Sequence, residues 1–100
     1  MEQASIKNVT IIGTGRLAFQ LSKALYNNGF KILQVLGRDQ KKIAELAKML
    51  EAEAIYHFDE LNRDVNLIIL AVSDDAIAEV AAQLPATKGI IIRLEILFDH

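Results

Sequence analysis

Residues 9–18 read VTIIGTGRLA, and their pattern is the strongest indication of how the chain folds. Its run of β-branched apolar residues predicts a short strand that is buried on both faces. Gly13 and Gly15 follow the run, and Ala18 lies three positions after the second glycine. Apolar residues at helical spacing continue beyond the glycines and predict a helix. The stretch therefore predicts a strand that turns tightly into a helix.

The composition indicates one folded domain and excludes several functions. The chain has 100 residues, of which 52% are hydrophobic and 24% charged, and its formal charge is −2. Because no basic stripe stands out, we expect no nucleic-acid partner. The absence of cysteine excludes thiolate zinc sites and cysteine nucleophiles. We find no signal-peptide core and no apolar stretch long enough to span a bilayer, so we expect no membrane partner and a cytoplasmic location.

Strand and helix patterns alternate along the whole chain. We predict strands at residues 9–12, 30–36, 52–56, 65–72 and 89–94, with a turn or short helix after the third. The apolar stripes of three intervening helices are Leu17, Leu21, Ala24 and Leu25; Ile43, Leu46, Ala47 and Leu50; and Ile77, Val80, Ala81 and Leu84. Helical crossovers imply parallel, right-handed connections. We therefore predict a three-layer α/β fold with a doubly wound parallel sheet of strand order 3-2-1-4-5.

The glycine turn is typical of a binding site for the pyrophosphate of a dinucleotide. Gly13 permits the tight turn, and Gly15 has no side chain to keep a phosphate from the backbone. The N-terminus of the helix adds N–H groups and a partial positive charge. The predicted cofactor-binding residues here are Gly13, Thr14, Gly15, Arg16 and Leu17. The alternative interpretation is a tight strand–helix turn that binds nothing.

The end of the second predicted strand distinguishes NADP from NAD. An NAD site usually places a carboxylate there, but this chain has Gly37 followed by Arg38. A guanidinium can hold a 2′-phosphate through paired hydrogen bonds worth ~1.5–3 kcal/mol, so we expect NADP(H) in preference to NAD(H). Asp39 leaves NAD open if it points to the ribose, although capping of the second helix is the favoured interpretation. We assign Lys42 to a solvated helix face.

A third candidate segment, AVSDDAI at residues 71–77, follows the fourth predicted strand. Ala71, Val72 and Ser73 are small enough for the nicotinamide half of a cofactor to lie over the strand end. Ser73 either hydrogen-bonds the ribose or caps the next helix, and the cap alone would explain both Ser73 and Asp74. Both interpretations stay open.

Three segments together resemble a known group of dinucleotide domains: IIGTGRLA at 11–18, LGRD at 36–39 and LAVSDDAI at 70–77. The group includes pyrroline-5-carboxylate reductase, the deazaflavin-dependent NADP reductases and a Rossmann-like family of uncharacterised oxidoreductases, which the last segment resembles most. The resemblance covers residues 5–92. It implies a Rossmann fold, hydride transfer at the nicotinamide, and cofactor contacts from the three segments without a proton-transferring residue among them.

Residues 93–100 do not resemble that group and form an atypical tail. In such proteins the fifth strand leads into a second, helical domain with most of the substrate site and the dimer contacts. We therefore expect residues 1–100 to be a single dinucleotide-binding domain, truncated relative to the family and without a substrate site. The apolar tail favours a homodimer through the C-terminal edge strand. The alternatives are a non-catalytic nucleotide-sensing or oligomerising module and a folded fragment without a function of its own.

Other candidate chemistry is weak. His57 and His100 have no partner at metal-ligand spacing, so we predict no metal site. No serine lies in a G-x-S-x-G context, which argues against a hydrolase. The adjacent carboxylates at 59–60 and 74–75 are interpreted as helix caps and solvated charge. We therefore predict no catalytic residue within the chain.

Overall fold

The computed structural model describes residues 8–13, 15–71, 79–80, 82–84 and 90–93. Its elements in chain order are β1 (Asn8–Ile12), α1 (Arg16–Asn27), β2 (Lys31–Leu36), α2 (Gln40–Leu50), β3 (Glu53–Ile55), a 3₁₀ helix (Phe58–Glu60), β4 (Leu67–Leu70) and β5 (Ile90–Arg93). Residues 79, 80 and 82 are also helical. Gln83 and Leu84, which the third predicted helix includes, follow these residues without helical structure, and Ile77 and Ala81 lie outside the described residues. Among those residues we find no helix with the length and apolar character to cross a membrane.

The strands form one parallel sheet of order β3-β2-β1-β4-β5. This confirms the predicted doubly wound topology. Strands β3, with three residues, and β4, with four, are much shorter than predicted, and β2 begins one residue later than predicted. Val65 and Ala71, which flank β4, are nevertheless buried, so their apolar character reflects the core and not the strand ladder. Burial extends past the ladder because the segments entering and leaving β4 are covered by other elements.

Each face of the sheet packs into its own apolar cluster. The first cluster, under α1 and α2, contains Val9, Ile11, Ile32, Val35, Leu67 and Ile69 of the strands with Ala18, Ile43, Leu46, Ala47 and Leu50 of the helices. The second cluster, on the opposite face, contains Ile12, Leu36, Ile55, Ile68 and Leu70 with Leu61, Val65 and Val80. Consecutive strand residues alternate between the clusters, as the period of a strand requires. Elements thus cover both faces of the sheet, which gives the predicted three layers.

The two first helices differ in how well their buried faces match the prediction. All four predicted apolar residues of α2 are buried. In α1, however, Ala18 and Ser22 are buried, whereas Leu21 and Leu25 are only partly buried. The Ser22 hydroxyl donates a hydrogen bond to the Ala18 carbonyl oxygen over 2.5 Å, so its burial leaves no donor without a partner. The small side chains of this face allow α1 to lie close to the sheet.

An irregularity in β2 sets the face that its residues reach. Val9 of β1 pairs with Ile32. Thr10 pairs with Gln34, so Leu33 has no partner in β1. Leu33 packs against the second cluster, and Gln34 hydrogen-bonds on the same side to the 3₁₀ helix. This is the geometry of a β-bulge, in which one extra residue interrupts the alternation.

Gln34 is 5% exposed and connects β2 to its neighbours. Its amide nitrogen donates to Glu53 Oε1 at 3.0 Å and to the Glu60 carbonyl oxygen at 2.9 Å. Its amide oxygen accepts from the Asn62 backbone N–H at 2.7 Å. A buried amide with all these partners is stabilising, since an unpaired one would cost free energy. It holds the short edge strand β3 and the segment after it against β2.

The ends of α1 and α2 lie next to each other at the amino-terminal side of the sheet. The predicted stop of α1 is confirmed, because Gly29 has φ +92° and the Asn28 N–H donates to the Ala24 carbonyl oxygen at 3.1 Å. Helix α2 ends at Glu51, whose φ of 56° is left-handed. The Tyr26 hydroxyl donates to Glu51 Oε1 over 2.6 Å and so connects the two helix ends.

Candidate functional site

The carboxyl ends of three strands meet at Gly13. Its backbone N–H donates to the Leu36 carbonyl oxygen at the end of β2, over 2.8 Å. On the other side, the Ala71 N–H donates to the Ile12 carbonyl oxygen at the end of β1, also over 2.8 Å. The turn after β1 is therefore fixed between the segments that leave β2 and β4. This is the edge of the sheet at which parallel α/β folds bind their ligands.

Gly13 is required by its backbone and by its neighbour. Its φ of +129° is one that L side chains rarely adopt. An added Cβ would overlap the Ala71 carbonyl oxygen and would lie 2.9 Å from the Ala71 carbonyl carbon. The sequence indicated a glycine for the turn, and the structure adds a second reason, which is the close approach of the segment after β4.

Gly15 begins α1 and leaves the first turn of that helix open. It is the N-cap residue, its backbone is extended (φ −73°, ψ −177°), and no side-chain hydrogen bond caps the helix among the described residues. A Cβ on Gly15 would meet no atom within 4 Å, and the first turn carries no acidic side chain. The helix therefore presents N–H groups and partial positive charge to an exposed surface, where an anion would be stabilised.

Helix α2, unlike α1, begins with a side chain that caps its first N–H groups. The Asp39 carboxylate accepts hydrogen bonds from the backbone N–H groups of Lys41 and Lys42, each over 3.1 Å. This confirms that Asp39 caps the helix. The Asp39 carboxylate, which would have to face the ribose in an NAD site, is hydrogen-bonded to the start of α2 instead. Of the two helix N-termini, α2 is thus satisfied by its own cap, and α1 is not capped by any described side chain.

Arg38 lies just beyond β2 and is exposed. Its guanidinium Nη2 lies 3.7 Å from Oε1 of Glu79, and the two side chains are 88% and 67% exposed. Glu79 belongs to the helical residues after β4, so this ion pair joins segments that follow two different strands. An ion pair this exposed contributes about 0–1 kcal/mol, so either partner can exchange it for a ligand at little cost.

A groove of about 280 Å³ lies between the start of α1 and one side of α2, along which it extends from Lys42 to Met49. Its lining residues are Gly15, Arg16, Phe19, Lys42, Glu45, Leu46 and Met49. Lys42 is exposed on the surface of α2 and also lines this groove with Gly15 and Arg16. The groove thus places Arg16, Lys42 and the acidic Glu45 near the start of α1, which no described side chain caps.

The predicted site residues that the structure describes lie at one end of the sheet. They are Gly13, Gly15, Arg16, Leu17, Gly37, Arg38 and Ala71. Thr14, Val72 and Ser73 lie outside the described residues, as does the cap of Ser73 or Asp74. Glu79 was missed by the sequence analysis, because nothing marks an exposed helical glutamate as the partner of an arginine on another strand. In the described part of the chain no three His, Asp or Glu side chains are grouped to hold a metal ion.

The family follows from a comparison of the whole sequence. Residues 8–92 match the model of the family described as "NADP oxidoreductase coenzyme F420-dependent". The chain belongs to this family. Its members bind a nicotinamide dinucleotide, and the matched region corresponds to their N-terminal Rossmann domain. The resemblance found from the three motifs is thereby confirmed, and so is the prediction of a Rossmann fold.

Solved structures show the same domain inside longer chains. A candidate NADP oxidoreductase from Bacteroides fragilis superposes with a TM-score of 0.81 and 32% identity, over 92% of this chain and 36% of that one. A 1-pyrroline-5-carboxylate reductase from Streptococcus pyogenes superposes with a TM-score of 0.69 and 25% identity, over 88% of this chain and 33% of that one. The chain thus spans about a third of the length of these family-like structures.

Glutamyl-tRNA reductases are similar to this chain in sequence over part of its length. A glutamyl-tRNA reductase from Methanosphaera stadtmanae is 39% identical over 67 residues, which are 67% of this chain and 17% of that protein. The chain therefore spans about a sixth of the length of this relative. The named activities of these similar proteins differ.

Proposed function

We propose that the chain is the NADP(H)-binding domain of an oxidoreductase that transfers hydride at the nicotinamide. The observation that carries the proposal is the start of α1, which no described side chain caps and which follows Gly13 by three residues at the carboxyl edge of a doubly wound sheet. Family membership supports a nicotinamide dinucleotide as the ligand. The cofactor supplies the hydride chemistry when it is bound, and the chain contributes binding, orientation and electrostatics.

The β1–α1 turn is the proposed pyrophosphate site. Gly15 leaves space at the backbone for two phosphates, and the N–H groups of the first turn of α1 would donate to their oxygens. Arg16 adds a positive charge at the first helical position. In this proposal Thr14 and Leu17 complete the turn, and Ala71, Val72 and Ser73 lie under the nicotinamide half.

Arg38 is the proposed determinant of NADP preference. Arg38 is exposed and directly follows the half-buried Gly37 at the end of β2. The neighbouring Asp39 carboxylate is hydrogen-bonded to the start of α2 and therefore does not pair with the Arg38 guanidinium. A guanidinium can form two parallel hydrogen bonds to the 2′-phosphate of NADP, which NAD lacks. Loss of Arg38 should therefore weaken NADPH binding and leave NADH binding almost unchanged.

The test is a fluorescence titration of the chain with NADPH and, separately, NADH at fixed ionic strength. Arg38→Ala should lower NADPH affinity about ten- to a hundredfold, whereas Arg16→Ala should weaken both cofactors by a similar factor. Lys31→Ala removes the same charge at the opposite end of the sheet and serves as the matched control. Failure of both cofactors to bind the wild-type chain would contradict the proposal, and equal effects of Arg38→Ala on both would contradict the NADP preference.

For the assembly, we propose a single domain over residues 1–100 that pairs with a second copy through β5. This strand is at the edge of the sheet, and Ile91 is 43% exposed. Exposed edge strands favour pairing with another chain. The cysteine-free sequence fits a reducing cytoplasm. Light scattering should give the mass of a dimer, and Ile91→Lys should give a monomer; a monomeric wild type would contradict this assembly.

A further inference from the structure

The Arg38–Glu79 ion pair spans the crevice in which the cofactor is proposed to lie. Arg38 follows β2, Glu79 belongs to the segment after β4, and β1 lies between these two strands. Neighbouring strands are about 4.8 Å apart, so the strands that lead to the two side chains are separated by roughly 10 Å. The two long side chains close this gap to 3.7 Å.

Burial of the adjacent residue fixes Glu79 at the carboxyl edge of the sheet. Val80 is buried in the second cluster together with Ile12, Leu36 and Leu70. These three are the last residues of β1, β2 and β4. Glu79 is therefore held beside the strand ends by its neighbour, while its own side chain is 67% exposed.

We propose that Glu79 is a specificity-determining residue that competes with the 2′-phosphate of NADP for Arg38. The proposal rests on the function proposed above, in which Arg38 binds that phosphate. Without cofactor, the Glu79 carboxylate pairs with the Arg38 guanidinium. NADPH must replace this carboxylate with its own phosphate, and the displaced negative charge of Glu79 stays close to it. NADH has no such phosphate, so the ion pair can persist when NADH binds.

The consequence is that Glu79 limits the preference for NADPH. The more strongly charged phosphate gains the arginine because the ion pair is exposed and weak. Removal of the carboxylate should free Arg38 in advance and remove the repulsion. NADPH and 2′,5′-ADP should then bind more tightly, whereas NADH and 5′-AMP should show little change.

The experiment compares wild type, Glu79→Gln, Arg38→Ala and the double variant. Isothermal titration calorimetry with 2′,5′-ADP and 5′-AMP, supported by fluorescence titration with NADPH and NADH, gives the affinities. Glu79→Gln should raise the ratio of NADPH to NADH affinity about two- to fivefold, the range expected for an exposed ion pair. In the Arg38→Ala background the same substitution should leave that ratio unchanged.

Glu51→Gln is the matched control. It makes the same chemical change at the far end of α2, and the new amide oxygen can still accept from the Tyr26 hydroxyl. An equal gain for all four ligands in Glu79→Gln, or a gain that persists without Arg38, would overturn the proposal. If Arg38→Ala weakens NADPH but Glu79→Gln does not move the ratio, only the role of Glu79 fails. If Arg38→Ala has no effect on NADPH, the roles of both Arg38 and Glu79 fail, whereas binding of NADPH to the wild-type chain still supports the cofactor-binding function. Circular dichroism confirms that each variant is folded.

Discussion

Single residues at the end of β1 have distinct tasks that are separable by experiment. Gly13 is confined by the backbone after β4, whereas Gly15 faces open space. The first glycine is therefore explained by packing, and the second, which meets no neighbouring atom, is explained by its place as the N-cap of α1. The spacing of the two glycines indicated both from the sequence, but only the structure shows that their reasons differ.

Substitution of each glycine by alanine should separate stability from binding. Gly13→Ala should cost about 2–4 kcal/mol of unfolding free energy, because it combines an unfavourable φ with overlap of a backbone carbonyl. Gly15→Ala should change stability by less than about 1 kcal/mol, yet weaken NADPH and NADH alike. Urea unfolding and cofactor titration measure the two effects. Equal destabilisation by both substitutions would contradict this division.

Thr10 offers a second test at this scale. Its hydroxyl is buried in the sheet and has no hydrogen-bond partner among the described residues. Thr10→Val keeps the shape and removes the polar atom, so it should raise the free energy of unfolding by about 1 kcal/mol. Thr10→Ser keeps the hydroxyl, loses a methyl group and should destabilise by about 1 kcal/mol. Lower stability of the valine variant in urea would show that the hydroxyl is bonded.

The helices illustrate which elements a sequence specifies. The stripe of α2 and its Asp39 cap were predictable, because both are local patterns of residue type and spacing. The buried face of α1 was not, since burial of Ser22 depends on how closely the helix approaches the sheet. The bulge at Leu33 and the Arg38–Glu79 pair were likewise beyond prediction, because each depends on the register or position of a distant segment.

The cap of α2 should contribute measurably to stability. Asp39→Ala leaves the N–H groups of Lys41 and Lys42 without their acceptor and should cost about 1 kcal/mol. Asp39→Asn retains a side-chain oxygen and should cost much less. Thermal unfolding checks both variants. If Asp39→Ala instead left stability unchanged and strengthened NADPH binding alone, the carboxylate would act on the cofactor site.

The contact between the ends of α1 and α2 should appear in the titration of Tyr26. Its hydrogen bond to Glu51 raises the pKa of the hydroxyl above its ordinary value. Because the folded pKa is raised, the contribution to stability is complete below the unfolded pKa and is lost as pH rises through the folded pKa. Ultraviolet titration of Tyr56→Phe, in which Tyr26 is the one remaining tyrosine, should show the raised value. Adding Glu51→Ala should lower it toward normal.

At the scale of the whole molecule, the order of strands was the most predictable property. Alternating strand and helix patterns restrict the topology to parallel, right-handed crossovers, and the five strands follow the predicted order. The substrate was not predictable, because the chain covers about a third of its family-like structures and a small part of its sequence relatives. The named activities of the similar proteins also differ from one another.

Cofactor binding should stabilise the whole domain. At a free NADPH concentration a hundred times Kd, linkage adds about 2.7 kcal/mol to the free energy of unfolding. For a domain of this length, that gain corresponds to a rise in Tm on the order of 10–20 °C. Differential scanning fluorimetry with increasing NADPH measures the shift, and Arg38→Ala should need higher NADPH but not higher NADH. An unchanged Tm at saturating concentrations of both would contradict binding.

The bulge at Leu33 makes the number of residues in β2, odd or even, decisive for which face of the sheet its last residues reach. Side chains of a strand alternate between the two faces of the sheet, and one extra residue reverses which positions point to which face. Because of this reversal, Val35 lies in the same cluster as its partner Ile11, and Leu36 lies in the same cluster as its partner Ile12. A homologue that lacks the extra residue must carry a compensating insertion elsewhere in β2. Without one, the residues after the deletion would point to the opposite face of the sheet. Gaps in a sequence alignment should therefore fall outside residues 32–36, and a single deletion there should be far more harmful than any substitution at Leu33.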